Sequence, residues 1–293
     1  MVNPKDYTVG WICAIPTEFA AARAFLDIEH EGPDNVLPQS VGHYALGKIE
    51  NHNVVIATLP AGVYGTSIAA TVARDMVNNF PNVKIGLMVG VGGGVPTRRT
   101  IRLGDVVVST PGPGSGGIFQ YDFGKTIQDK SFQQTGFHDQ PPLVLLTACN
   151  GLRARYASHG HQLQEAIDTA LNKTPRLKKE YRRPDPSTDR LYQATVVHPN
   201  SPSEVDCAAA CGDDPSKLEP RPKRTDKDDD PAIHYGLIAS GNQLMKDASI
   251  RDKLAVEKDV LCFEMEAAGL LNHFPCIIIR GMFISMVSNG SRH

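Results

Sequence analysis

Apolar residues along the chain gather in short runs whose spacing alternates between that of strands and that of helices. Residues 7–15 (YTVGWICAI) are rich in β-formers and stop at Pro16-Thr17, after which EFAAARAFL favours a helix with Thr17 as its N-cap. Residues 52–59 (HNVVIATL) read as a second buried strand, broken by Ala61-Gly62-Val63-Tyr64-Gly65. The following TSIAATVARDMVNNF places apolar residues at helical spacing. Residues 84–91 (KIGLMVGV) repeat the strand and open into a Gly92-Gly93-Gly94 turn, and residues 104–109 (GDVVVS) add another. Strand, glycine turn and helix in succession predict an α/β sheet with ligand sites at strand ends.

The pattern breaks after about residue 150. Residues 154–172 predict one polar helix, whereas 173–230 are dense in Pro, Lys, Arg and Asp and end in EPRPKRTDKDDDP. Such a stretch has too little apolar surface to order itself readily and reads as a polar surface insertion. Strand signals return at 234–240 (HYGLIAS), 260–265 (VLCFEM) and 276–280, with helices expected over 243–257 and from 266 to 272. The two patterned blocks are expected to form one sheet across the insertion, making residues 1–293 a single domain.

Composition narrows the function. With 30 Lys+Arg against 32 Asp+Glu there is no global basic field for nucleic acid or an anionic membrane. No apolar stretch approaches the ~20 residues of a spanning helix, and the N-terminus lacks a signal-peptide core, so an intracellular, cytoplasmic protein is expected. Cys13, Cys262 and Cys276 lie in strand-like runs as free thiols would in a reducing compartment. Cys207 and Cys211 form a lone C-x3-C with His198 upstream, short of the four ligands of a zinc site, so no metal is expected.

Glu18 lies just past the first strand, where the helix dipole favours a carboxylate and where it can act as a general base on water. The glycine turns at 62–65 and 90–94 allow close approach to a ligand, though Val95-Pro96 does not continue as a dinucleotide-binding helix. In Phe263-Glu264-Met265-Glu266-Ala267-Ala268-Gly269 two carboxylates flank a methionine at a strand end, a pattern suited to neighbouring sugar hydroxyls beside an apolar wall.

The ordered run GWICAIPTEFAAARAFL, AGVYGTSIAA, GLMVGVGGGVP, LGDVVVS, YGLIASGNQLM and FEMEAAGLLNHFPCIIIRG resembles the purine and uridine phosphorylase superfamily. Within it the chain is similar to the nucleosidases of methylthioadenosine and S-adenosylhomocysteine. It is similar also to the fungal nucleoside phosphorylase-like domains found ahead of NACHT or ankyrin regions. The resemblance implies a three-layer α/β/α fold with a twisted mixed sheet, homo-oligomers, and cleavage of the N-glycosidic bond of a purine nucleoside or nucleotide without a cofactor.

Carried over, Glu18 takes the water-activating position, Met265 and Glu266 line the ribose with Glu264 beside them, and Gly92 and Gly93 lie near the ribosyl or phosphate site. Ser240, Asn242 and Leu244 fall in the segment that frames the base. Glu266 is also expected to stabilise the cationic sugar of the transition state. Phosphorylases of the superfamily carry an arginine two residues before Gly90, where this chain has Met88, which favours water over phosphate as nucleophile. Arg98, Arg99 and Arg102 are alternative partners for phosphate as a co-substrate, or for a nucleotide's phosphates as in ATP-cleaving effector domains.

The family's last strand leads to an aspartate that protonates the departing purine; this chain has Ile284 there, and its final C-terminal helix is missing. The resemblance therefore implies an impaired enzyme, with a non-catalytic nucleoside-binding or regulatory domain as the alternative. Residues 282–293 form an atypical tail. Gly281-Met282-Phe283 is encodable with GTATGT, a fungal splice-donor string, so the ending is expected to be an artefact of the gene model.

Overall fold

A computed structural model of the chain describes residues 3–33, 37–96, 99–129, 132–136, 139–181, 183–197 and 207–285. His198, Arg98, the side chains of Cys207 and Ile284, and residues 286–293 lie outside the described set. The strands are β1 (Val9–Cys13), β2 (Ile28–His30), β3 (His43–Ile49), β4 (His52–Thr58), β5 (Ile85–Gly94), β6 (Val106–Ser109), β7 (Ile118–Gln120), β8 (Gly124–Lys125), β9 (Gln133–Gln134), β10 (Ile233–Ser240), β11 (Val260–Glu264) and β12 (Cys276–Ser285). The helices are α1 (Pro16–Ala24), α2 (Thr66–Asn79), α3 (Leu143–His159), α4 (Leu163–Lys173), α5 (Pro175–Glu180), α6 (Cys207–Cys211) and α7 (Ala248–Lys258).

The main sheet runs β11-β10-β6-β12-β5-β1-β4-β3-β2, with β7 paired to β10. It is mixed: β12–β5, β5–β1, β1–β4 and β6–β10–β11 are parallel, whereas β12–β6 and the β2–β3–β4 end are antiparallel. The sheet also closes on itself, because β11 returns antiparallel to the end of β5 at Cys262↔Gly94 and Phe263↔Gly93.

Period-two alternation decides which side each residue serves. On β4, Val54 and Ile56 join Val9, Cys13 and Ala22 on the α1 side, whereas Val55 and Ala57 join Ile12, Val72 and Met76 on the α2 side. Both patterned blocks contribute to one sheet, as their periodicity predicts.

Several local expectations differ from the structure. Ile15, not Thr17, is the N-cap of α1, because Pro16 fits the first helical position and Glu18 reaches back to accept from Ile15 N at 3.3 Å. Gly92-Gly93-Gly94 is not a turn; it is the end of β5. The single polar helix of 154–172 is two helices, α3 and α4, separated at Gly160, whose φ of 70° favours glycine. The helix expected over 243–257 begins only at Ala248, where Asp247 caps Ser249 N and Ile250 N at 2.8 and 3.0 Å. The one expected from 266 is a single 3-10 turn, Ala267–Gly269.

Within 173–230 a small satellite core of Leu191, Tyr192 and Cys211 gathers Val196 and Leu218. Charge fastens this region to the sheet. Asp105, fully buried just before β6, accepts from Arg224 (2.5 and 2.7 Å), Ala232 N (2.9 Å), Arg102 N (2.9 Å) and His234 Nε2 (3.0 Å). Burial alone raises a carboxyl pKa, but the bonds from His234, Arg224, Ala232 N and Arg102 N overcome it and hold Asp105 at about 2. A depressed carboxylate adds stability above its unfolded pKa and loses it as pH falls through the folded one. Asp105→Ala is expected to cost about 3–5 kcal/mol in urea unfolding at pH 7, because it removes the fully buried acceptor shared by the Arg224 guanidinium and the Ala232 and Arg102 amides. The difference from the parent chain should shrink between about pH 4 and pH 2.

Candidate active site

One strand end, one helix start and one sharp turn bring four ionisable side chains together. Parallel strands β1 and β5 lie side by side, so the first turn of α1 rises over the C-terminal half of β5. Glu18 there is only 8 % exposed; it accepts from Ala14 N at 2.6 Å through Oε2 and from Val91 N at 2.7 Å through Oε1. Its carboxylate thus bridges the end of β1 to β5, besides meeting the positive end of the helix.

The second and third carboxylates come from the end of β11 and the turn that follows it. Glu264 accepts from Glu266 N at 3.1 Å and from Ala267 N at 3.1 and 3.2 Å, so its side chain shapes the turn that carries Glu266. Met265 between them is half-buried. Arg280, on β12 opposite Gly90 and with no exposed surface, donates through Nη2 to Glu264 Oε2 and, at 3.2 Å, to Glu266 Oε2.

Gly90 explains how Glu18 joins this group. A Cβ at position 90 would collide with both Arg280 Nη1 and Glu18 Oε1, so the missing side chain is the space in which the two meet. Arg280 Nη1 and Nε have no hydrogen-bond partner among the described residues, and Nη1 is the one that shares the space at Gly90 with Glu18.

Three carboxylates around one guanidinium leave excess negative charge in a buried space. Burial raises the pKa of Glu266, Arg280 opposes, and Glu264 and Glu18 raise it again, to about 7. Burial likewise lowers that of Arg280, but Glu264, Glu266 and Glu18 outweigh it and the guanidinium is held charged. Chemically, the cluster combines hydrogen-bond acceptors for hydroxyls, a carboxylate placed to take a proton from water, and negative charge for a developing cation.

The other sequence-predicted residues divide into two groups. Gly92 and Gly93 lie in β5 opposite Met282 and Ile284 of β12, and Ser240 at the end of β10 accepts from Ala268 N at 2.9 Å. These adjoin the carboxylates. Asn242 is instead tied to Thr66 and Asp122, and Leu244 stands 44 % exposed on the same loop. Arg280 is the residue that sequence reasoning passed over, and its signal was a charge inside an apolar strand, CIIIRG. Met88 is fully buried, Arg99 donates to Tyr235 O at 3.0 Å and pairs with Asp259 at 3.6 Å, and Arg102 donates to Pro222 O.

The superposition with the 5'-methylthioadenosine/S-adenosylhomocysteine nucleosidase of Neisseria meningitidis, solved with methylthio-immucillin-A, has a TM-score of 0.57. It covers 97% of this chain and 88% of that one at 16% sequence identity. The chain has the nucleosidase fold. The same nucleosidase from Mycobacterium bovis is 31% identical over 124 residues, which is 42% of this chain and 42% of that protein. A nucleotide-binding leucine-rich repeat (NLR)-like protein of Hyaloscypha variabilis is 43% identical over 281 residues, 95% of this chain but 26% of that protein. The chain thus spans about a quarter of this relative and less than half of the bacterial nucleosidase. No protein-family model matches the chain. Against the nucleosidase fold, the expected three layers and mixed sheet are present; no helix among the described residues is long and apolar enough to cross a membrane.

Because the folded-state pKa of Glu266 is raised, the native chain binds more protons than the unfolded one from about pH 4.5 to pH 7, and its stability falls across that window. Glu266→Gln is expected to remove that fall, on the order of 3 kcal/mol by the size of the shift, when urea unfolding is compared at pH 4.5 and pH 8.

Proposed function

We propose that this domain binds a purine nucleoside and acts on its N-glycosidic bond by hydrolysis. The observation that carries the reading is the convergence of Glu18, Glu264 and Glu266 on Arg280 at the strand ends of a nucleosidase fold. In this reading Glu266 and Glu264 accept from the ribose hydroxyls beside Met265, and Glu18 takes a proton from the attacking water. The buried negative charge stabilises the oxocarbenium-like sugar, and Ser240 and Leu244 border the base. Water is favoured over phosphate because Met88 offers no cation and both Arg99 and Arg102 are engaged elsewhere. The purine nitrogen released from the sugar needs a proton, and the position that supplies it in related enzymes is Ile284, opposite Gly93 on β12.

A second reading, a nucleoside-binding domain without turnover, is favoured by that isoleucine. In either case the domain is read as one part of a longer NLR-like protein, as in the Hyaloscypha variabilis relative. Adenine release from methylthioadenosine, adenosine, inosine and ATP, measured with and without phosphate, tests both. The expected result is binding of a purine nucleoside, slow turnover and no stimulation by phosphate. Ile284→Asp is expected to raise turnover by about 10²–10⁴, the usual contribution of a general acid. No binding of any of these compounds would overturn the nucleoside reading, and phosphate-dependent release would overturn hydrolysis.

A further inference from the structure

The last residue of β10 and the first two of the loop after it are each fastened. Ser240 Oγ accepts from Ala268 N at 2.9 Å and Gly241 N donates to Glu264 O at 3.2 Å, both across to the turn that carries the carboxylates. Asn242 N donates to Asp122 Oδ2 at 2.6 Å. Asn242 Oδ1 accepts from Thr66 N and from Thr66 Oγ1, each at 3.1 Å, and its Nδ2 faces Asp122 Oδ2 at 3.4 Å. Both acceptor sites and one of the two donors of the amide are therefore taken by protein.

Thr66 is held on two sides. The preceding Gly65, at a φ of 110°, lies so close that a Cβ there would come within 2.8 Å of Asn242 Oδ1. Gly269, in the 3-10 turn after Glu266, packs directly on Thr66 O and has no room for any side chain. The start of α2 thus sits between the base-side loop and the carboxylate turn, touching both.

We propose that Asn242 is a positioning residue. Acting through Thr66, it sets the separation between the loop 241–245 and the turn 264–269, and its amide does not contact the base. The inference rests on the nucleosidase reading for what those two segments bind, although the coupling itself needs no ligand.

The test uses the full chain as Asn242→Ala, Thr66→Val, the double variant and Thr66→Ser. Without ligand, Asn242→Ala is expected to raise amide hydrogen exchange at Gly241, Glu266, Ala267 and Ala268 about tenfold, chiefly through the loss of the two hydrogen bonds from Thr66. Thr66→Val should give part of that effect, the double variant no more than Asn242→Ala alone, and Thr66→Ser should match the parent. Exchange in β1 and β4 should not change. Additive effects, an effect confined to the 241–245 loop, or a uniform rise across the core would each overturn the proposal.

With methylthioadenosine and adenine as calorimetric probes, Asn242→Ala and Thr66→Val are expected to weaken both. A loss for Asn242→Ala with Thr66→Val at the parent affinity would mean that the amide touches the base, and would also overturn it. If the parent binds neither probe, the nucleoside reading falls while the exchange cycle still decides the coupling.

Discussion

A guanidinium with no access to water needs compensating charge, and Arg280 organises the centre of this protein around that need. Its neighbours supply three carboxylates where one would neutralise it, and each is fixed by backbone donors as well. Removing a charged group from water costs several kcal/mol, so such an arrangement persists only with close, well-aligned partners. The remaining imbalance falls on Glu266, which carries fewer backbone bonds than Glu264 and is pushed by burial toward protonation. An excess of negative charge is what a site for a developing sugar cation requires, so the electrostatic cost to the free protein and the chemistry proposed for it have the same origin.

Legibility in the sequence followed the range of the forces involved. Strands such as residues 52–58 were clear because both faces of the sheet are buried there and the apolar run is continuous. Glu18, Glu264 and Glu266 were readable because each stands where a strand ends. Gly90 was misread as part of a turn, since a glycine demanded by close packing between Glu18 and Arg280 leaves the same mark as one demanded by positive φ. The antiparallel pair β2–β3 was passed over, being short and half-exposed on β2, and Arg280 was noticed as sequence but not as chemistry because its partners lie 14 and 16 positions earlier.

Ile284 and the insertion illustrate different separations. Position 284 is on the strand that carries Arg280, four residues on, so in the proposed reading the residue that gathers the carboxylates and the position assigned to the proton donor are separate. The described residues of 173–230 are fastened to the sheet through Asp105 and Arg224 with little apolar area of their own, which explains why composition alone predicted weak ordering there.

The return of β11 onto β5 also makes the sheet asymmetric. On the site's side the described strands β11, β10, β6, β12 and β5 form a ring, with the three-residue β7 paired to β10 beside it. At the other side β2 ends the ladder, with β3 as its partner. That outer edge, remote from the carboxylates, is a poor template for extension by another chain, being three residues long and carrying the exposed Arg23–Glu29 pair.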